Sequence, residues 1–282
     1  MLRLGVHVSI AGKIHSAVDR AKKLGCSTMQ IFARNPRQFR SQALEAEDVA
    51  LFKAKIKKAG IKPAVIHIPY TLNLAATKRS FHKITIREFT EDYQEAGRLG
   101  AQYLVTHLGS FKGGTEQLGL GRAVTALKKI LRDSPQVKTK ILLENSAGSG
   151  SWLGYNFQQL RWVMEKLGWS SRLGICLDTA HAWAAGYRIN ESEGLKAMLV
   201  EIEKEVGLRN LKAVHLNDTQ ELLDSRRDRH CDIGAGLIGA KGFALILNNP
   251  VFKKLPLILE TPKESDTDDK RNLAAVRALV KN

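Results

Sequence analysis

The chain has 282 residues, enough for one large α/β domain or two small ones. Hydrophobic residues make up 44% and charged residues 26%, ordinary globular usage that excludes a long disordered tail, and no apolar run reaches the ~18 residues of a membrane span. Forty-four Lys and Arg against 28 Asp and Glu leave a formal net charge of +16, which fits a polyanionic partner such as nucleic acid and fits general solubility about equally well.

In chain order, short apolar or β-branched runs recur about every 35 residues: 2–8, 27–32, 62–67, 102–107, 140–145, 173–178, 211–216 and 255–260. Met1 opens directly onto the first run, with no secretory h-region before it. Helical periodicity fills the intervals, among them Ile14 to Leu24, Ala46 to Ala59, Phe81 to Leu99, Arg122 to Leu131 and Phe157 to Leu167. Gly25, Gly60, Gly100 and Gly168 follow helices, where a left-handed cap is wanted. Eight strands alternating with helices predict parallel βα units closed into a single (β/α)8 TIM barrel over residues 1–282. The open doubly wound sheet would carry a glycine-rich turn after its first strand, and VSIAGKIH has one glycine. The acidic stretch 263–269 reads as a solvated loop. Cys26, Cys176 and Cys231 form no C-x-x-C pair, so a reducing, cytoplasmic location is expected.

Six of the eight runs carry at or near their C-terminal end a residue that can bind a metal: His67, His107, Glu144, Asp178, His215 and Glu260. A buried apolar strand has no structural need for such an end, and in a barrel all strand ends project onto one rim, where the active sites of this fold lie. Two local patterns join them. Asp178 and His181 sit three apart in CLDTAHAW, and Asp228 and His230 sit two apart in DRHCDIGAG, on the same side of an extended segment. One such histidine is ordinarily a packed residue; five of the chain's eight falling into this pattern reverses that expectation. The nine candidates are imidazoles and carboxylates without thiolate, a set that suits zinc, with manganese or iron as alternatives. Nine exceed the needs of one ion and suit three, and four carboxylates against three divalent ions leave an excess of two positive charges for a phosphodiester and a hydroxide. His7 is left outside the ligand set as a supporting residue, His15 and His82 read as helical, and Cys176 and Cys231 as non-ligands.

The segments GVHVSIAG, NPRQF, HIPYTLN, THLGS, LLENSAGSG, CLDTAHAWAAGY, HLNDT, DRHCDIGAGLIG and LILETP resemble, along essentially the whole chain, the endonuclease IV family of abasic-site endonucleases. The resemblance implies zinc-dependent hydrolysis of double-stranded DNA 5′ to an abasic site, with 3′-blocked ends as a further substrate and a monomeric enzyme. It implies that His67, His107 and Glu144 hold a first zinc, that Glu144 bridges to a second completed by Asp178, His215 and Glu260, and that His181, Asp228 and His230 hold a third. Glu144 and Glu260 become the catalytic carboxylates, Glu260 as proton acceptor. Arg37 would enter the base stack, Tyr70 would fill the gap left by a flipped sugar, and Arg229 would contact phosphate. Departures from the family's usual pattern fall at Thr71, Leu108, Ser149, Cys231 and Asp232, none of them a ligand position. The rival readings are a sugar isomerase or epimerase on the same barrel and a non-catalytic binder of damaged DNA.

Overall fold

The computed structural model describes residues 2–38 and 43–281. Phe39, the last residue of NPRQF, lies outside them. Seven strands come first: β1 (Arg3–Val6), β2 (Met29–Phe32), β3 (Ala64–His67), β4 (Tyr103–Thr106), β5 (Lys140–Glu144), β6 (Leu173–Asp178) and β7 (Leu211–His215). A two-stranded hairpin of β8 (Asp218–Thr219) and β9 (His230–Cys231) interrupts the series before β10 (Pro256–Leu259). The main sheet is parallel, in the order β1-β10-β7-β6-β5-β4-β3-β2. Its two end strands meet: Ser27 N–H donates to Leu4 O at 2.9 Å and Val8 N–H to Gln30 O at 2.7 Å, closing the ring through a parallel bridge of His7 and Gln30.

The helices are α1 (Ser16–Lys23), α2 (Ala46–Ala59), α3 (Arg79–Leu99), α4 (Glu116–Asp133), α5 (Phe157–Lys166), α6 (Thr179–Ala184), α7 (Ser192–Glu205), α8 (Gly239–Asn248) and α9 (Asp268–Leu279). Periodicity anticipates the first five, and α4 extends a turn and a half N-terminal of its apolar stretch because Thr115 accepts from Leu118 N–H and caps it there. His15 precedes α1 rather than lying within it. The acidic stretch 263–269 is not simply solvated. Asp268 is buried at the start of α9 and accepts from the hydroxyl and N–H of Ser265 and the N–H of Glu264. Its carboxylate replaces backbone partners that the loop would otherwise lack.

The strands pack two ways because successive side chains alternate between faces. Outward residues such as Met29, Ile31, Ile66, Leu104 and Leu143 join the helices in one continuous core. Inward residues Val65, Val105, Leu142, Cys176, Ala213 and Ile258 form a separate layer inside the barrel. This dry layer is the floor beneath the polar strand ends, and Cys176 belongs to it as a packing residue.

Candidate metal centre

Above that floor the strand ends bring their polar residues together. His67 lies on β3, Glu144 on β5, Asp178 on β6 and His215 on β7, while His107 and Glu260 follow β4 and β10 directly. His181 enters from α6 and His230 from β9. Three groups have ligand atoms within 4.8 Å of one another: His67 with His107 and Glu144; Glu144 with Asp178, His215 and Glu260; Asp178 with His181 and His230. Glu144 and Asp178 each belong to two groups, so the three form one continuous cluster. Glu144 divides its oxygens accordingly: Oε2 lies 3.1 Å from His67 Nε2 and 3.3 Å from His107 Nε2, and Oε1 lies 2.8 Å from His215 Nδ1. Asp228 reaches the third group from the loop between β8 and β9, with Oδ1 3.2 Å from His181 Nε2 and 3.4 Å from His230 Nε2.

Four of the five histidines are oriented from behind by an oxygen. His67 Nδ1 lies 2.7 Å from Ile68 O, His181 Nδ1 3.0 Å from Asn145 O, His230 Nδ1 3.2 Å from Glu260 O, and His215 Nε2 2.8 Å from the Gln30 side-chain oxygen. Each of these N–H groups is thereby directed outward and the other ring nitrogen turned towards the carboxylates, the arrangement by which proteins present imidazole to a metal. Two asparagines do the same for the carboxylates. Asn145 exchanges hydrogen bonds with the Asp178 backbone at 2.7 and 3.0 Å. Asn217 donates to Asp178 Oδ2 at 2.7 Å and accepts from Glu260 N–H at 2.8 Å. Sequence reasoning misses Gln30, Asn145 and Asn217 as site residues. The signal is there in Gln30, a lone amide in the middle of the apolar run STMQIF, and absent for the asparagines, which sit beside turns where Asn is commonplace.

Glu144, Asp178 and His215 are fully buried, with no Lys or Arg paired to them among the described residues. Burial opposes the ionised form of Glu144, yet His107, His215 and His67 together hold its carboxyl well below the usual carboxylate range. For His181 burial opposes the charge and is outweighed by Asp178, Asp228 and Glu144, so its pKa rises to about 10. In effect protons occupy the places between these groups, where a divalent cation would displace them. The donor set fits such ions on a second count: the buried Nε2 of His230 has no hydrogen-bond partner among the described residues, an atom left for something other than protein.

The loops hold the rest of the rim. Arg37, Tyr70 and Arg229 are all exposed, Tyr70 to 62% although it is aromatic, on the connections after β2, after β3 and before β9. The turn carrying Tyr70 is clamped by Asn73, whose amide donates to Ser110 O and whose oxygen accepts from the N–H groups of Ser110 and Ala75. A side chain at Gly109 would come within 2.1 Å of that oxygen, so glycine is required. Ser149 donates to Arg226 O at 2.6 Å and the Arg226 guanidinium lies over Tyr155 at 4.8 Å, tying the loop of Asp228 to the one after β5. A cavity of about 400 Å³ opens beside Glu260, lined by His7, Phe32, Pro36, Thr261 and Lys263.

A parallel eight-stranded barrel with a ring of histidines and carboxylates at the C-terminal ends of its strands defines a metal-dependent enzyme of the TIM-barrel class. The family model described as a xylose isomerase-like TIM barrel matches residues 18–281. The probable endonuclease 4 of Chloroflexus aggregans is 41% identical over 282 residues, covering 100% of this chain and 99% of the relative. That of Halothermothrix orenii is 40% identical over 270 residues, covering 95% and 96%. The crystal structure of endonuclease IV from Thermus thermophilus superposes with a TM-score of 0.87 at 35% identity, covering 98% of both chains. The chain belongs to the endonuclease 4 family, the AP endonuclease family whose motifs its sequence carries, and is a metal-dependent nuclease acting on DNA. A D-tagatose 3-epimerase-like protein, with a TM-score of 0.73 at 19% identity, shares the fold alone.

Proposed function

We propose that this nuclease hydrolyses the phosphodiester 5′ to an abasic site in double-stranded DNA, leaving a 3′-hydroxyl and a 5′-deoxyribose phosphate, and that it does so with three zinc ions. The observation that carries the reading is the continuity of the three ligand groups through Glu144 and Asp178. An isomerase site of one or two ions has no use for His181, Asp228 and His230, and a non-catalytic binder has no use for any of the nine. In this assignment His67, His107 and Glu144 hold one ion, Glu144, Asp178, His215 and Glu260 a second, and His181, Asp228 and His230 a third, with Asp178 adjoining it. Bound ions of this kind supply Lewis acidity to the phosphoryl oxygens and make water acidic enough to attack near neutral pH.

The protein's own residues do the rest. Glu260 accepts the proton of the attacking water, its Oε1 steadied by Gln30 at 2.6 Å. The apolar floor excludes bulk water below the reacting atoms. Arg37 and Tyr70 occupy the space vacated when the base-less sugar leaves the helix, which costs least where no base stacks, and Arg229 meets phosphate. The net charge of +16 supports docking on DNA, and 3′-blocked ends fit the same phosphodiester chemistry. We take the enzyme to work as a cytoplasmic monomer.

The test is a duplex with one abasic site, its product ends mapped, alongside metal analysis. A nick 5′ to the lesion and about three zinc per chain are expected. Binding without a nick would favour the damage binder, and one manganese per chain the isomerase. Glu260→Gln is expected to lower cleavage by more than about 100-fold while a gel shift reports near wild-type DNA affinity. Unchanged nicking would remove Glu260 from its role.

A further inference from the structure

Gln30 is fully buried in the middle of β2, between Met29 and Ile31, which point outward into the core around the helices. An inward amide in such a strand costs free energy unless its polar atoms are satisfied. They are satisfied, and entirely by the metal centre and its margin. The side-chain nitrogen donates to Glu260 Oε1 at 2.6 Å and to His7 Nδ1 at 3.0 Å, while the side-chain oxygen accepts from His215 Nε2 at 2.8 Å. The amide has one workable orientation. Turned over, it would set its carbonyl oxygen against a carboxylate oxygen at 2.6 Å, two acceptors with no proton between them.

From this geometry we infer that Gln30 is the positioning residue of the centre: it selects the His215 tautomer that ligates through Nδ1 and reserves one oxygen of Glu260 for the ion. Because the amide oxygen only accepts, the His215 proton sits on Nε2. With Nε2–H held in this way, the nitrogen left for a metal is Nδ1, which faces Glu144 Oε1 at 2.8 Å and Glu260 Oε2 at 3.2 Å, the space the second ion would take. Because the amide nitrogen holds Glu260 Oε1, Oε2 is left turned towards His215. One side chain thus aligns His215 at the end of β7 and Glu260 just past β10, more than 40 positions apart in the sequence, from a strand on the other side of the closure. The same contact recruits His7, which receives the second amide hydrogen.

The inference rests on the metal-centre reading above, and its test includes a measurement that needs no cleavage. Gln30→Met keeps the length of the side chain and removes all three hydrogen bonds; Gln30→Glu keeps the acceptor for His215 and removes the donors to Glu260 and His7. Zn²⁺ affinity is measured by competition with a chromogenic chelator, far-UV circular dichroism and melting of the metal-free proteins report the fold, and kcat and KM are taken on abasic duplex. Both variants are expected to fold, to bind the most weakly held zinc about 10- to 100-fold less tightly, and to lose kcat with KM for DNA unchanged. A residue that merely filled space would shift melting and leave zinc affinity intact. Wild-type zinc affinity and kcat in both folded variants would overturn the inference. Wild-type protein that held the ions but left abasic DNA intact would overturn the proposed function and leave the affinity comparison to decide on Gln30.

Discussion

At the scale of single residues, the loop that delivers His230 depends on Asp218. Its buried carboxylate accepts backbone N–H groups from Gly234 at 2.9 Å, Gly236 at 3.0 Å, Ile238 at 3.2 Å and Thr219 at 2.8 Å. The glycines of DIGAG are there because the backbone must press against this carboxylate: a side chain at Gly236 would stand 2.4 Å from Asp218 Oδ1 and from Thr219 O. An anion fills the N-terminal approach to α8, and here it is the protein's own. Asp218→Ala would leave several buried donors unsatisfied, at about 1–3 kcal/mol each. Chemical denaturation is expected to show a loss of at least about 3 kcal/mol, with binding of the ion proposed for His181 and His230 weakened as well. A loss under about 1 kcal/mol would mean water replaces the carboxylate freely. Neither HLNDT nor DIGAG shows in the sequence that Asp218 of the first holds the backbone that begins in the second, since those partners lie 16 to 20 positions downstream.

At the scale of elements, β2 runs into the loop that carries Arg37, proposed above to enter the base stack, and that loop is fixed to the barrel. Arg34 does the fixing. Its Nε lies 2.9 Å from Asp92 and its Nη1 3.4 Å from Glu88, both on α3, and Nη1 donates to Gln38 O, one residue past Arg37. Burial pushes the Asp92 carboxyl up to about 7 against the pull of Arg34. The folded protein therefore binds that proton more tightly than the unfolded chain does. The resulting stabilisation is complete below the ordinary carboxylate value near 3.8 and is lost as pH rises towards about 7. Asp92→Asn removes the titration. Urea unfolding should show the variant less stable than wild type at about pH 5, with the gap narrowing by about pH 8. A gap that widens with pH would show the ionised pair to be the favoured state. Periodicity identifies α3 but says nothing of which buried face meets Arg34, because charge pairing between a loop and a distant helix leaves no local pattern.

At the scale of the whole molecule, ions held by residues of β3, β5, β6 and β7 and by Glu260 just past β10 would act as cross-links over the barrel's mouth. Metal bound only by the folded state stabilises it by mass action. Short exposure to moderate EDTA is expected to leave nicking intact because each ion is multiply held, whereas complete stripping under a stronger chelator should lower Tm by several degrees, with recovery on adding Zn²⁺. Rapid loss of activity in mild EDTA would contradict the ligand assignment.

The sequence alone determined the alternation of strands and helices, the (β/α)8 barrel and the residue types at the strand ends, because strand periodicity, glycine caps and strand-end chemistry are local properties written in consecutive residues. Tertiary structure decided which atom of each ligand faces its neighbours, that Glu144 and Asp178 are shared between groups, and that Gln30, Asn145 and Asn217 stand behind them. Those are relations between strands brought side by side only when the barrel closes. A hydrogen bond of 2.8 Å between Gln30 and His215 has no counterpart in the order of the residues.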